Sequence, residues 1–148
     1  MEARGVSLME LTTIAMLCLV LNVHNEAAGE PAMGMVAVAK VTLTRAKLTG
    51  EDVCTTVYKP WQFSWTMEPR LPPPDQDELA RAYAAALFAA TNDYDPTEGA
   101  THFHADYIDP PHWADSFKQT VKIGHHIFYR DDEWYTRASR KAKQETEK

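Results

Sequence analysis

An apolar run at residues 14–21, I-A-M-L-C-L-V-L, most constrains what this chain can fold into. The run is well short of the roughly 20 residues that a membrane-spanning helix requires, so we expect a buried helix that does not cross a membrane. The helical pattern extends from Ser7 to about Glu26, with Ser7 as N-cap and Glu10 closing a capping box. Apolar residues on nearly every face predict that this helix lies at the centre of the fold.

The flanks of the apolar run differ from those of an export signal. Such a signal needs a basic start and a small-residue cleavage site, whereas Glu2 and Glu10 precede the run and Asn22 and His24 follow it. We therefore predict no export signal.

Composition excludes several classes of protein. The chain has 148 residues, 45% of them hydrophobic, which predicts one domain over residues 1–148 with a polar tail from about residue 136. The formal net charge of −6 argues against nucleic acid as a partner, because nucleic-acid binding normally needs a basic surface. Only Cys18 and Cys54 are present, so we predict no disulfide framework and a buried free thiol at Cys18.

Two further helical segments follow the first. Gly29 and Pro31 end the first helix, and a second is predicted at residues 32–46, with Lys40 and Arg45 on its polar face. A short helical turn is predicted at residues 51–58.

The second half of the chain predicts one more long helix and a small sheet. A D-x-x-E start at Asp75 precedes an alanine-rich helix that ends near Ala90. Residues 101–104 and 127–129 are short and aromatic, which predicts two paired strands. The polar sequence past Trp134 predicts a solvated helix or a frayed tail.

The sequence N-E-A-A-G-E-P at residues 25–31 is the first candidate for chemistry. It places Glu26 at the carboxyl end of a buried helix, where apolar surroundings and the helix dipole both disfavour the charged form. The pKa of Glu26 is therefore expected to be raised, as suits a general acid. A helix-end carboxylate without a catalytic role fits the position equally well.

The sequence W-Q-F-S-W at residues 61–65 alternates flat apolar with hydrogen-bonding side chains. That alternation suits a glycan, whose sugars have apolar ring faces and polar edges. The same aromatic residues also suit packing beneath the proline-rich loop that follows.

Histidines form a third constellation. His102 and His104 share one face of the first predicted strand, and His125 and His126 could approach them from the second. A zinc site needs three or four converging ligands, for which this pattern is a weak signal, so we predict no metal. Histidines of this kind more often hold loops or line a polar groove, where their titration near neutral pH tunes activity.

Five blocks of sequence together resemble the catalytic domain of the spore-cortex-lytic, germination-type cell wall hydrolases. Pro111 and Trp113 lie between the last two blocks. The blocks are N-E-A-A-G-E-P at 25–31, M-V-A-V-A-K-V-T-L-T-R at 35–45, Q-F-S-W at 62–65, D-P-T-E-G-A-T-H-F-H at 95–104 and I-G-H-H-I-F-Y-R at 123–130.

The resemblance implies a mainly α, α+β fold, which is a lysozyme-like helical domain with a small β-hairpin. It also implies a peptidoglycan-degrading enzyme that needs no cofactor and cleaves the glycan strand between N-acetylmuramic acid and N-acetylglucosamine. The reaction would be that of a lytic transglycosylase or a muramidase. The spacing of Glu26 and Pro31 is similar to that of the lone acid in soluble lytic transglycosylases, which implies that Glu26 is catalytic. A muramidase would also need a second carboxylate, for which Glu30, Asp95 and Glu98 are candidates.

Further residues in and between these blocks are expected to form the substrate groove. The aromatic ones among them either carry sugar rings or support the groove. The predicted substrate-binding residues are Gln62, Phe63, Ser64, Trp65, His102, His104 and Trp113.

Two alternatives remain open at this point. One is a zinc-dependent peptidoglycan amidase or peptidase using His102, His104 and either His125 or His126. The other is a non-catalytic module that binds the cell wall. A bare catalytic domain fits a phage endolysin that acts as a monomer, accumulates in the cytoplasm of the producing cell or travels in a virion, and reaches the wall after release.

Overall fold

The computed structural model describes residues 11–147, which form five α-helices and a three-stranded sheet. Two 3-10 turns, at Ser64–Met67 and His112–Asp115, lie in the connections. The helices and strands are α1 (Thr13–Ala27), α2 (Ala32–Thr49), α3 (Val53–Tyr58), α4 (Gln76–Thr91), β1 (His102–Ala105), β2 (Lys118–Ile123), β3 (His126–Arg130) and α5 (Asp132–Thr146).

Helix α1 begins at Thr13, where the Thr12 hydroxyl accepts a hydrogen bond from the Ala15 N–H at 3.0 Å. The predicted cap at Ser7 and its partner Glu10 lie outside the described residues. Leu19 is fully buried, but Ile14 is 70% exposed, so only part of the apolar run is in the core.

Helix α2 lies at the centre of the fold instead. It continues three residues beyond the predicted end, to Thr49, and Gly50 then adopts a left-handed conformation with φ of 76°. Small and β-branched residues let α1, α4 and the sheet pack closely around it. Lys40 is half-buried, but the prediction that Arg45 lies on a polar face was wrong, because Arg45 is only 6% exposed.

A hydrogen-bonded chain inside the core joins α1, α2 and the connection after α3. The Trp65 indole N–H donates to Asn22 Oδ1 at 2.7 Å, and Asn22 Nδ2 donates to the Thr42 hydroxyl at 3.0 Å. The Thr42 hydroxyl donates in turn to the Val38 carbonyl at 2.9 Å. Each polar side chain of this hydrogen-bonded chain therefore has a partner, which fixes how the three segments meet.

Cys18 and Cys54 form a disulfide, with their Cα atoms 5.3 Å apart. The predicted free thiol at Cys18 was therefore wrong. The two residues are 36 positions apart, and only the packing of α3 against α1 brings them together. A count of two cysteines does not contain that information.

The two predicted strands are confirmed, and they pair antiparallel as β1 and β3, with His102 opposite Tyr129 and His104 opposite Ile127. The sequence analysis missed β2, which pairs with the other edge of β3 to give the order β1-β3-β2. Strand β2 is an edge strand in which Lys118, Gln119 and Lys122 are exposed, so it lacks the apolar signal of a buried strand.

The polar end of the chain folds as the helix α5, one of its two predicted forms. The Asp131 carboxylate caps its first turn by accepting from the Glu133 N–H at 3.0 Å. The Tyr135 hydroxyl donates to the Gly99 carbonyl at 2.7 Å, and Lys141 Nζ donates to the Thr49 carbonyl at 3.3 Å. These contacts attach a polar helix to the domain. Among the helices of the described residues, none is long and apolar enough to span a bilayer.

We predict that the disulfide between Cys18 and Cys54 stabilises the fold. Closing a loop of this length in the unfolded chain lowers its entropy, which is worth about 3 to 4 kcal/mol. Urea denaturation of the oxidised protein and of the Cys18→Ser, Cys54→Ser double variant measures the difference in unfolding free energy. Reducing the wild-type protein gives a second measurement, for which the double variant in the same reductant is the control. Equal unfolding free energies of the oxidised protein and the variant would contradict the prediction.

Candidate active site

Glu26 lies in the last turn of α1, next to its final residue, Ala27. Burial raises the pKa of its carboxyl from 4.5 to about 7, while the positive charge of Arg45 acts in the opposite direction. The direction is the one that the sequence predicts. At neutral pH the protonated and the charged forms of Glu26 therefore coexist, so Glu26 can give up a proton and also take one back.

Arg45 is a buried cation beside Glu26, and the sequence analysis missed its role. Its Nε–H donates to the Thr101 carbonyl at 2.7 Å, and its Nη1 lies 3.5 Å from Gln62 Oε1. Burial lowers the pKa of the guanidinium to about 10, and the charge of Glu26 opposes that lowering, so Arg45 stays charged at neutral pH.

Aromatic rings enclose the Arg45 guanidinium on two sides. Its central carbon lies 4.9 Å from the centre of the Phe63 ring and 5.7 Å from that of Trp134. Both distances allow attraction between the cation and the ring face. The sequence gives little signal for Arg45, which is one of three basic residues in α2, with Lys40 and Lys47.

The charges of Glu26 on α1 and Arg45 on α2 act on each other. Asn22 and Thr42 are hydrogen-bonded across the contact between α1 and α2. Glu26 lies one turn beyond Asn22 on α1, and Arg45 lies about one turn beyond Thr42 on α2. The core hydrogen bond thereby fixes the pair whose charges act on each other.

Glu30 is held away from this pair by its own hydrogen bonds. Its Oε1 accepts from the His125 N–H at 2.8 Å and lies 3.9 Å from His126 Nδ1. A Cβ on Gly124 would lie 2.3 Å from the same oxygen, so the turn between β2 and β3 needs a glycine there. These contacts favour a structural role for Glu30 over the predicted role of second carboxylate.

The other two candidate carboxylates lie in a tight turn before β1. Asp95 accepts hydrogen bonds from the Thr97 N–H at 2.8 Å and the Gly99 N–H at 3.0 Å. Glu98 is exposed and has a left-handed backbone with φ of 58°. The hydrogen bonds of Asp95 favour a role in shaping this turn.

Of the predicted groove residues at 62–65, two are in the core. Phe63 is 2% exposed and packs on Arg45, and Trp65 is 9% exposed and bonds Asn22. Their burial leaves no ring face free for a sugar, and support of the groove, the second of the two predicted roles, stays a prediction. Gln62 is half-buried beside Arg45, and Ser64 is exposed.

His102 and His104 lie on the face of the sheet that an aromatic cluster covers. His102 packs against Trp113 and Trp134, with ring centres 5.1 and 5.3 Å apart. His104 Nε2 lies 2.9 Å from the Tyr129 hydroxyl, and His104 is only 6% exposed. The predicted contact of His104 with substrate is therefore corrected, because its ring is enclosed by neighbours.

The sequence analysis expected these histidines to titrate near neutral pH, but His102 does not. Burial and, to a smaller extent, the charge of Arg45 lower its pKa to about 3. The ring is neutral wherever Glu26 changes its charge, so it contributes shape and hydrogen bonding.

The four histidines do not converge. Strand register places His126 beside Ala105, and its ring lies 5.0 Å from that of Phe103, on the opposite face of the sheet from His102 and His104. His125 is exposed at the turn, with Nδ1 3.4 Å from Asp106. Within residues 11–147, no three histidine, cysteine or acidic side chains are grouped so that they could hold a metal ion.

We predict that Glu26→Gln makes the stability of the protein less sensitive to pH. The folded pKa of Glu26 lies above its ordinary value of 4.5, so its contribution to stability is fully present below pH 4.5 and is lost as pH rises through about 7. The variant should therefore gain roughly 2 to 3 kcal/mol on the wild type between about pH 4 and about pH 8. Urea denaturation at both pH values measures the gain, and Glu68→Gln, which removes an exposed carboxylate, is the control. A difference that does not change with pH would contradict the prediction.

We predict that the charge of Arg45 sets where Glu26 titrates. Arg45→Met removes the cation, so the pKa of Glu26 should rise above its wild-type value, whereas Arg45→Lys keeps a positive charge and should raise it less. Carbon-13 NMR of labelled glutamate across a pH series measures the pKa, after circular dichroism has shown that both variants are folded. Identical Glu26 titrations in the wild type and the Met variant would contradict this account.

The comparisons with known proteins agree with this fold. A family model described as Cell Wall Hydrolase matches residues 29–129, which begins three residues after Glu26. The curated relatives include a spore cortex-lytic enzyme of Halalkalibacterium halodurans, 34% identical over 108 residues, and one of Bacillus subtilis, 34% identical over 109 residues. Each match covers 72% of this chain but only 32% and 34% of the relative, so the chain spans about a third of the length of these proteins.

Two solved structures have the same mainly helical fold with a small sheet. One is the catalytic domain of the germination-specific lytic transglycosylase SleB from Bacillus anthracis, with a TM-score of 0.67 and 28% identity, covering 80% of this chain and 96% of that one. The other is the catalytic domain of the Bacillus cereus SleB protein, with a TM-score of 0.69 and 27% identity, covering 88% and 100%. On the family match and the shared fold, this chain belongs to the cell wall hydrolase family.

Proposed function

We propose that this protein is an enzyme that cleaves the glycan strand of peptidoglycan between N-acetylmuramic acid and N-acetylglucosamine, as a lytic transglycosylase. The observation that carries the proposal is the half-buried Glu26 carboxyl, whose pKa is raised to about 7 and whose charge interacts with the buried cation of Arg45. The likeness to the SleB catalytic domain, a lytic transglycosylase by its description, supports the reaction type.

In the proposed mechanism, the protonated Glu26 gives its proton to the glycosidic oxygen. The bond from C1 of N-acetylmuramic acid to that oxygen breaks, and an oxocarbenium-like sugar develops. The Glu26 carboxylate then takes the proton of the sugar's own 6-hydroxyl, whose oxygen bonds to C1 and closes an anhydro ring. Glu26 ends the cycle protonated, so one carboxyl serves both steps.

In this mechanism, Arg45 stabilises the Glu26 carboxylate that exists between the two proton transfers. Burial alone would make the Glu26 carboxylate costly to form, and the guanidinium offsets part of that cost. Because the hydrogen bond to the Thr101 carbonyl holds Arg45, its charge needs no rearrangement during the reaction.

The placement of the three other candidate carboxylates supports transglycosylation over hydrolysis, because two of them accept backbone N–H groups and the third, Glu98, is exposed in the turn before β1. A muramidase needs a second carboxylate near the acid, and Glu30 and Asp95 are already occupied by backbone N–H groups. We accordingly propose that the sugar hydroxyl, and not water, completes the reaction.

We further propose that the protein acts as a monomer on the cell wall after it leaves the reducing cytoplasm. The disulfide between Cys18 and Cys54 suits this place of action, because disulfides persist in oxidising surroundings.

We predict that digestion of purified peptidoglycan releases muramic ends one water lighter than reducing ends. Mass spectrometry of the fragments measures this. Ordinary reducing ends would instead indicate a hydrolase. Intact glycans with freed peptides, especially if a chelator stops the reaction and zinc restores it, would overturn the proposal in favour of an amidase. Binding without any cleavage would indicate a wall-binding module.

The same assay tests the role of Glu26. Glu26→Gln cannot donate or accept the proton, so we expect kcat/KM to fall by about 10²- to 10⁴-fold. Wall binding should remain, and the melting temperature near the pH of the assay should not fall. Glu145→Gln removes an exposed carboxylate of α5 and is the matched control. Cleavage by Glu26→Gln at the wild-type rate would exclude this assignment.

A further inference from the structure

A basic pocket of about 410 Å³ lies where the end of α2 meets α5, next to the candidate active site. We name it the α2–α5 pocket. Its polar and aromatic lining includes Glu51, Lys59, Gln62, Trp134, Arg137 and Lys141. The pocket is open to solvent and plays no part in the proton transfers proposed above.

The lining of the α2–α5 pocket has more positive than negative charges. Lys59 pairs with Glu51, with Nζ and Oε1 2.8 Å apart, so these two charges compensate each other. Arg137 and Lys141 remain, and both are exposed. Among residues 11–147, neither forms a salt bridge. In a chain with a net charge of −6, this is a local surplus of positive charge that faces a concave surface.

The helical repeat of α5 brings these two cations together. Arg137 and Lys141 are four residues apart and lie on one face, with Trp134 one turn earlier. The Arg137 guanidinium lies 5.9 Å from the Trp134 ring, which limits its freedom before a ligand arrives. Arg140 and Lys143 lie on another face of the helix and line a separate depression.

Two lining residues connect the pocket to Glu26. Gln62 Oε1 is 3.5 Å from Arg45 Nη1, and the Trp134 ring is 5.7 Å from the Arg45 guanidinium carbon. Arg45 in turn acts on the charge of Glu26. Arg45 therefore connects the lining of the pocket with the proposed acid.

We propose that the α2–α5 pocket binds a carboxylate of the peptide stems that peptidoglycan carries on its muramic acid residues. This inference rests on the proposed function. A guanidinium matches a carboxylate with two parallel hydrogen bonds, and the Lys141 ammonium adds a second charge. A sugar held at Glu26 would carry its stem away from the cleavage site, and the pocket offers the stem a cationic place close by.

The test compares two substrates with two pairs of substitutions. The substrates are purified glycan strands with their stems and the same strands after the stems have been removed. Arg137→Gln with Lys141→Gln removes the charges of the pocket, and Arg140→Gln with Lys143→Gln removes as much charge from the other face of α5. All four positions are exposed, so folding is expected to be retained, and melting temperatures check this.

We expect the wild type to prefer strands that carry stems. The pocket variant should raise KM for those strands roughly 5- to 10-fold, in line with two exposed charge contacts, and so lower the preference for stems. The control variant should keep the wild-type preference. A parallel measurement of affinity for both kinds of strand, made in the Glu26→Gln background, gives a readout that does not depend on cleavage.

Three outcomes would overturn this inference. An equal loss of preference in the control variant and the pocket variant would make the effect one of general surface charge. Equal losses on strands with and without stems would mean that the pocket does not read the stem. An unchanged preference would mean that the pocket has another ligand, such as the phosphate of a wall polymer, which these strands lack. If the wild type cleaves neither substrate, the proposed function fails, and the affinities alone then decide the role of the pocket.

Discussion

The burial of the Arg45 guanidinium is the constraint on which the other parts of the site depend. A buried charge costs several kcal/mol unless its surroundings compensate for it. Here the compensation comes from four separate parts of the chain: the Thr101 carbonyl before β1, Gln62 and Phe63 after α3, Trp134 in α5, and the charge of Glu26 at the end of α1. Because the cation needs all of these partners, its position near the end of α2 constrains where the sheet, the aromatic loop and the last helix lie.

A second set of hydrogen bonds fixes the connection between α1 and α2, immediately after the proposed acid. The Gly29 N–H donates to Glu78 at 3.3 Å, and Arg81 donates to the Glu30 carbonyl at 3.0 Å, so α4 holds one side. The Glu30 side chain binds the turn between β2 and β3 from the other side. A carboxyl that must keep a position to about half an ångström benefits from such support on both sides.

The sequence predicted what depends on local chemistry and missed what depends on contacts between distant segments. The D-x-x-E start gave the position of α4, and the aromatic segments gave β1 and β3. The burial of Arg45 was missed because a helix with apolar residues on most faces does not show which of its three basic residues, Lys40, Arg45 or Lys47, will be buried. The disulfide was missed because Cys18 and Cys54 meet only through the packing of α3 on α1. Burial of Phe63 and Trp65 was one of two readings that the pattern left open.

The two glutamates of N-E-A-A-G-E-P show how one short motif yields two different groups. They are four residues apart, a spacing that would place them on one face if the helix continued. Gly29, with φ of 86°, turns the chain between them, so Glu26 stays in the helix and Glu30 points to the sheet. Glu30 accepts the backbone N–H of His125, whereas within residues 11–147 only the more distant charge of Arg45 offsets the burial of Glu26. Identical side chains thus acquire different environments because the backbone turns between them. The turn at Gly29 is therefore needed for the environment of the proposed acid, as is the charge of Arg45.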